Sequence, residues 1–253
     1  MISLKSPQDI EIMRQTNVIV AEILAAVCER VKPGVTTGEL DRLAEELTLC
    51  RGAAPAFKGY EVAGRVFPRC LCISVNEEIV HGIPSEKRVL REGDIVGVDY
   101  GVRYHGFYGD SAVTVAVGRA DALSQRLIKV TREALLAGID QARPGNRMGD
   151  ISSAIQEHAE TEGFSVVRDF VGHGIGTRLH EEPQVPNYGV RDRGLRLKAG
   201  MVLAIEPMIN AGKADVVIKS DGWTAVTKDG SRSAHFEHSV AVMDSGPYVL
   251  SEI

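Results

Sequence analysis

The sequence predicts an α+β protein built from one unit used twice, and three internal echoes predict it. "KPGVTTGEL" (32–40) and "RPGNRMGDI" (143–151) share a Pro-Gly pair and a Gly-acid-aliphatic triplet at an offset of 111 residues. "LREGDIVGVD" (90–99) matches "LKAGMVLAIE" (197–206) at an offset of 107, which sets Asp99 against Glu206. "YGDSAVTVAV" and "FEHSVAVMD" follow in the same order and bring Asp110 opposite Glu237. One such match is unremarkable as chance; three in one order imply a duplicated helix–helix–strands unit. Nothing between the copies reads as a linker or a low-complexity stretch, so one domain over 1–253 is expected, with half-repeats of about 1–120 and 121–253. Two pseudo-symmetric halves facing each other bring all four acids into one cleft.

Each element follows from local pattern. From Pro7 the residues Ile10, Met13, Val18, Ile23, Ala26 and Val27 recur at roughly helical intervals, with Ser6 as N-cap. After the "KPG" turn, Thr37 is the expected N-cap of an amphipathic helix on Leu40, Leu43, Ala44 and Leu47. "DIVGVDYGVRYHGFYGDSAVTVAV" reads as two strands around a turn near Tyr104 to Gly106. In a tight hairpin centred there, Asp99 and Asp110 become cross-strand neighbours about 4.5–5.5 Å apart at Cβ. "SQRLIKVTREALLAGIDQA" and "RPGNRMGDISSAIQEHAETEGF" form the second helix pair. Glu206 ends the apolar run "MVLAI", and Glu237 precedes the strand candidate "HSVAV".

Composition bounds the function. Hydrophobic residues make up 44% and charged residues 25%, as in ordinary globular chains. No apolar run approaches the ~18 residues of a membrane span, and "MISLKSPQDIEIMRQTNVIV" has no signal-peptide pattern. A net charge of −5 and a pI near 5.8 argue against dedicated nucleic-acid binding. The basic run "RDRGLRLK" reads as a solvated loop before it reads as an RNA contact. Cys28, Cys50, Cys70 and Cys72 lack C-x-x-C spacing, so reduced thiols and a cytoplasmic location are expected.

The chemistry gathers at the acids. A carboxylate beside an apolar strand is costly to bury unless paired or bound to metal. Four of them carry −4, which two divalent cations neutralise. "VGHGIGTRLHEEP" (171–183) adds His173 and His180 among glycines that let backbone approach a ligand closely. A neutral imidazole at His173 completes an oxygen-rich, hard donor set, suited to Mn²⁺, Fe²⁺ or Co²⁺ rather than to a thiolate zinc site. Shared carboxylates suit two ions about 3.5–4 Å apart. His105, His158, His235 and His238 lack such a context and are expected to be structural or surface residues.

With "NEEIVHGIP", "DYG…GFYGDSA", "GHGIGTRLHEEP", "AIEP" and "FEHS" in this order, the chain resembles the type I methionine aminopeptidases, of the pita-bread fold, from about residue 4 to its C-terminus. The resemblance implies a central antiparallel sheet flanked by helices and a single catalytic domain. It implies two divalent ions per subunit (Co, Mn, Fe or Zn): Asp99 bidentate on one, Asp110 and Glu237 bridging, His173 and Glu206 completing the other. Glu206 also matches the general acid/base, His180 the contact to the scissile peptide, and His81 the histidine that assists proton transfer at the substrate nitrogen. Cys72, Tyr60 and Trp223, with Phe57 and Leu179, fall near positions that line the methionine pocket. The implied activity is removal of the initiator methionine from nascent polypeptides by a monomer, with a small second residue preferred and the ribosome as a candidate partner.

Two features depart from that pattern. Leu179 stands where Phe is usual, and "EVAGRVFPRCL" inserts several residues after Tyr60, which puts the register of Phe57 and Tyr60 in question. Among rival readings, prolidase, aminopeptidase P and creatinase usually carry a large N-terminal domain, whereas fewer than 100 residues precede Asp99 here. Non-catalytic members of the fold typically lose metal ligands. Type II relatives carry a helical insert, and the 31 residues from Glu206 to Glu237 leave no room for it.

Overall fold

Helix α1 (Pro7–Cys28) begins at Ser6, whose hydroxyl accepts from the Asp9 N–H while the Asp9 carboxylate accepts from the Ser6 N–H. Pro7 occupies the first helical position, where a backbone N–H has no partner to lose. In this computed structural model, which describes residues 2–252, the buried stripe of α1 runs through Ile10, Met13, Val20, Ile23 and Val27, while Val18 and Ala26 are half-buried. Helix α2 (Thr37–Cys50) is capped one residue earlier than expected. Thr36 and Glu39 form the reciprocal capping box, and Thr37 turns its hydroxyl to the Ser85 backbone instead. The Thr-x-x-Glu spacing selects Thr36, because the glutamate must sit three residues on to reach back. Helices α3 (Ala122–Asp140) and α4 (Met148–Thr161) repeat the pair.

The principal sheet holds nine antiparallel strands: β1 (Ala54–Pro55), β2 (Leu71–Val75), β3 (Ile95–Tyr104), β4 (Phe107–Ala116), β5 (Gly172–Gly174), β6 (Glu181–Val185), β7 (Val202–Ile205), β8 (Glu237–Met243) and β9 (Gly246–Val249). Its order is β1-β3-β4-β8-β7-β5-β6, with β2 on β3 and β9 on β8. The duplication expected from sequence is visible in the hydrogen bonds. Gly34 donates to the Leu90 carbonyl at 2.9 Å, and Gly145 to the Leu197 carbonyl at 3.1 Å. Isolated bridges Thr36↔Val89 and Arg147↔Arg196 recur at the same two offsets. The "KPG" and "RPG" turns therefore do one job in both halves, hooking a helix start to the chain that enters a central strand.

Each half has its own core. Val20, Leu24, Leu40, Leu71 and Val98 pack in the first; Leu127, Leu135, Ile151, Ile155 and Leu203 pack in the second. Val113, on central strand β4, touches both. Helix α3 comes close to α4 at Gly138, where a Cβ would meet Ile155 Cγ1 at 2.7 Å. No helix of the described residues is long and apolar enough to cross a membrane.

Asp41 ties α2 to the sheet. Its buried carboxylate accepts from the Cys70 and Leu71 N–H groups at 2.8 and 2.9 Å, where the chain enters β2. Burial raises its pKa, and the two backbone donors oppose that rise. Asp41→Ala strands both donors in the interior, so it should lower stability by about 1.5–3 kcal/mol. The expected sign is a lower urea midpoint at unchanged m.

Candidate active site

The β3–β4 hairpin turns at His105 and Gly106, whose φ angles of 46° and 85° fit the primed two-residue turn that follows strand twist. Tyr104 therefore faces Phe107, Gly101 faces Asp110 and Asp99 faces Ala112. Asp99 and Asp110 are diagonal neighbours rather than the directly opposed pair expected, because the turn centres one residue later in the chain. They still share a face, since Asp99 and Gly101 alternate to the same side.

Three further strands converge on that face. Glu237 of β8 pairs with Ala112, so Asp99, Ala112 and Glu237 form a row across three strands. Ile205 pairs with His238, which brings Glu206 level with Glu237. His173 pairs with Ala204, two residues before Glu206 and on its side of β7. Hydroxyls close the seam between β4 and β8. Ser239 Oγ donates to the Asp110 carbonyl at 2.9 Å, and Ser111 Oγ donates to the Glu237 carbonyl at 2.7 Å.

Asp110, His173 and Glu237 each bring a potential ligand atom within 4.8 Å of the others, and so do Glu206, His235 and Glu237. Asp110, Glu237, His173 and His235 are buried; Asp99 and Glu206 are half-buried on the cleft. His235 is the residue that sequence reasoning set aside. Its Nε2 lies 3.5 Å from one Glu206 oxygen, and the His173 Nε2 lies 3.5 Å from the other. The available signal was its position two residues before Glu237. The obstacle was that Ser233–His235 pairs with Met208–Asn210 in a separate small sheet.

The electrostatics fit a bound metal. Burial, then repulsion from neighbouring acids, holds the carboxyls of Asp99, Glu206 and Glu237 well above the usual range, and burial pushes Asp110 to about 7. Burial also lowers His173 and His235 to about 3, leaving neutral nitrogens able to act as ligands. Asp99 Oδ1, Asp110 Oδ1, Glu237 Oε1 and His235 Nε2 are buried without a hydrogen-bond partner. Unpaired acceptors in a like-charged group are what a divalent cation satisfies. The donors are carboxylate oxygens and imidazole nitrogens. Cys72, opposite Asp99, has a thiol kept protonated by burial and the nearby acids.

Gly172 and Gly174 have a packing role besides the one expected. A Cβ on Gly172 would meet the Ala204 carbonyl at 2.3 Å, and one on Gly174 the Glu182 carbonyl at 2.3 Å. They admit the neighbouring strands and so let a short strand carry His173 into the centre of the sheet.

His81 and His180 stand at the rim. His81 takes a left-handed φ of 60°, a sparsely populated conformation for a residue with a side chain, and lines the cleft with its ring edge-on to Phe170 and Trp223. Burial lowers it to about 4. The His180 ring lies 4.3 Å from that of His173, and its Nδ1 is 2.5 Å from the Tyr60 hydroxyl. One side of His180 reaches solvent, while the protein around the rest lowers its pKa. A phenol donates more readily than it accepts, so the Tyr60 hydroxyl donates to Nδ1 and Nε2 carries the N–H.

The cleft has a volume of about 140 Å³, with an apolar wall of Phe57, Tyr60, Phe67, Cys72, Leu179 and Trp223. Sequence reasoning missed Phe67, which meets Trp223 edge-on at 5.2 Å, and Val62 on the same wall. Tyr60 lines the cleft beside His180, and the extra residues follow it. They form a two-stranded ribbon, Glu61–Val62 against Arg65–Val66, whose base closes where the Phe67 N–H donates to the Tyr60 carbonyl at 2.8 Å.

A curled antiparallel sheet in two pseudo-symmetric halves, with carboxylates and imidazoles converging where they meet, defines a metallopeptidase of the pita-bread fold. Residues 11–244 match metallopeptidase family M24, and the chain belongs to that family. It is 51% identical to the methionine aminopeptidase of Clostridium acetobutylicum over 99% of both chains. Its structure superposes on methionine aminopeptidase from Thermotoga maritima with a TM-score of 0.97 at 47% identity, covering both chains completely. The prolidase from Pyrococcus horikoshii shares the fold at a TM-score of 0.79 and 23% identity, with 98% of this chain and 63% of that one covered.

Chelation should expose the cost of the acid cluster. Unfolded carboxyls titrate near 4, whereas in the folded, metal-free protein the cluster keeps protons to higher pH, Asp110 to about 7. His81, His173 and His235, lowered by burial, work the other way below about pH 6.5, where unfolded imidazoles hold protons that these do not. Above about pH 7 only the acids count: the folded state binds more protons than the unfolded state, so stability falls as pH rises. Thermal midpoints with chelator should drop between about pH 7 and pH 9, above the titration of unfolded histidine, and excess Mn²⁺ should restore most at the upper end. A flat profile with chelator would show that the acids are not held against repulsion.

Proposed function

We propose that this chain removes the N-terminal methionine from nascent polypeptides by metal-dependent hydrolysis, with a small second residue preferred. The observation that carries this reading is an acid and imidazole cluster at the end of a small cleft with an apolar wall. Such a site takes one apolar N-terminal side chain and holds the following peptide bond over the acids. The chain acts as one catalytic domain over 1–253, with half-repeats of about 1–120 and 121–253.

Asp99, Asp110, His173, Glu206 and Glu237 would hold two divalent ions (Co, Mn, Fe or Zn), with His235 supporting Glu206 from behind. The chemistry such cations would supply there is a lowered pKa for water and polarisation of the scissile carbonyl. Glu206 takes the proton of the attacking water on a carboxylate oxygen and delivers it to the leaving nitrogen. His180 donates its Nε2–H to the carbonyl oxygen as negative charge develops there. His81, neutral at physiological pH, accepts from or returns a proton to the substrate nitrogen. Tyr60, Cys72 and Trp223 receive the methionine side chain. We infer a cytoplasmic monomer that meets its substrates as they leave the ribosome. The aminopeptidase P and prolidase reading is not favoured.

Asp110→Ala and Glu237→Ala should each lower kcat by about a thousandfold or more and reduce the metal content of the purified protein, because each removes a buried carboxylate that would hold the metal. Metal analysis and steady-state hydrolysis of Met-Ala-Ser measure both; wild-type metal content with wild-type kcat would remove the residue from the site.

The substrate panel tests the reading itself. With Met-X-Ser peptides, kcat/KM should be high for X of Ala, Gly, Ser or Pro and low for Leu or Lys. With X-Ala-Ser, Met should lead, followed by norleucine and then Leu, since a methylene of fit is worth about 1–3 kcal/mol. Equal rates for Met and Lys in first place would mark a general aminopeptidase, and preference for Ala-Pro would mark the rival enzymes.

A further inference from the structure

The N-terminal arm reaches the candidate active site through one buried ion pair. Lys5 Nζ lies 2.6 Å from Glu181 Oε2, with side chains 5% and 7% exposed. Among the described residues no other Lys or Arg ion pair has both side chains so deeply buried. The arm is anchored, since the Lys5 N–H donates to the Gly200 carbonyl at 2.7 Å. On the other side, Glu181 Oε1 accepts from the Arg178 N–H at 3.1 Å and from the Thr177 hydroxyl at 3.3 Å. Gly176 makes room for the pair: a Cβ there would meet Lys5 Cε at 2.5 Å and Glu181 Oε1 at 2.7 Å. Glu181 therefore gathers the turn 176–181, and His180 is the residue immediately before it. Within that turn Thr177, Arg178 and His180 are exposed, and Leu179 is the one large side chain that packs inward. The Tyr108 N–H holds the Gly176 carbonyl at its start, so side-chain packing does little to hold the stretch before His180.

We propose that Lys5 is a positioning residue for the reaction: through Glu181 it fixes the turn that presents His180 to the cleft. The proposal rests on the role given to His180 above. Tyr60 orients the imidazole ring, while Lys5 holds the backbone that carries it. Misplacing a reacting group by about an ångström can cost up to a hundredfold in rate. A loosened turn should thus lower kcat far more than it changes substrate affinity.

The test uses metal-loaded enzyme and Met-Ala-Ser. Lys5→Met should lower kcat by about tenfold or more, with KM within about twofold and the metal-to-protein ratio unchanged. Lys5→Arg should restore most of kcat. Amide hydrogen exchange over 176–181 should quicken in Lys5→Met and not in Lys5→Arg. If leaving Glu181 unpaired prevents folding, the double variant Lys5→Met/Glu181→Gln removes both charges and reports the same quantities. In a His180→Ala background, Lys5→Met should cost less than about twofold, because no imidazole is left to position. An equal loss in both backgrounds, or unchanged kcat and exchange in Lys5→Met, would overturn the proposal. A His180→Ala enzyme with wild-type kcat would instead overturn the role of His180, while the exchange data would still report whether Lys5 holds the turn.

Discussion

Four carboxylates share one partly enclosed cluster, and their mutual repulsion is the constraint that the rest of the structure must answer. Like charges brought this close cannot all stay ionised without a cation among them. The fold meets the constraint by placing the acids at a junction of paired strands, where backbone ladders hold them. Asp99 and Asp110 come from one hairpin, and Glu206 and Glu237 from adjacent strands of the other half. At the seam only two ladder pairs join β4 to β8, and Ser111 and Ser239 supply further bonds there. A rigid seam matters because a metal site tolerates little error in ligand position.

The imidazoles divide by depth. His173 and His235 lie inside the cluster, where burial keeps them neutral and each faces one oxygen of Glu206. His81 and His180 stand further out, held by unusual local means. One has a left-handed backbone beside Phe170 and Trp223; the other rests on Tyr60 and a turn gathered by Glu181. That division matches a reading in which the inner pair serves the metal and the outer pair serves the substrate.

The second half of the sheet depends on close backbone approach. Gly172 and Gly174 let β5 lie against its neighbours where any side chain would strike a carbonyl. The inserted ribbon at 61–66 shows the complementary behaviour. It projects from a closed base and lends Val62 to the cleft wall, while Tyr60 at that base stands beside His180. Leu179 is buried in that wall, a smaller side chain beside Phe57 and Phe67.

Much of this was legible in the sequence because the signals are local or periodic. The repeated Pro-Gly turns, the helical stripes and the acids adjoining apolar runs disclosed the duplication and the acids that converge. Other features were not legible, for equally physical reasons. The hairpin register depended on which two residues take positive φ, and the choice of His105 and Gly106 moved Asp99 from opposite Asp110 to a diagonal position. The α2 cap depended on the reach of Glu39, which selects Thr36 over its neighbour. His235 looked ordinary because its own short strand belongs to another sheet, and only the folding of β7 against β8 brings it to Glu206. The sequence by itself determined the elements, their repetition and the chemical type of the site, since alternation and spacing are properties of neighbouring residues. The tertiary structure decided which side chains meet, because contacts between residues far apart in the chain depend on strand register and on the space that glycines leave open.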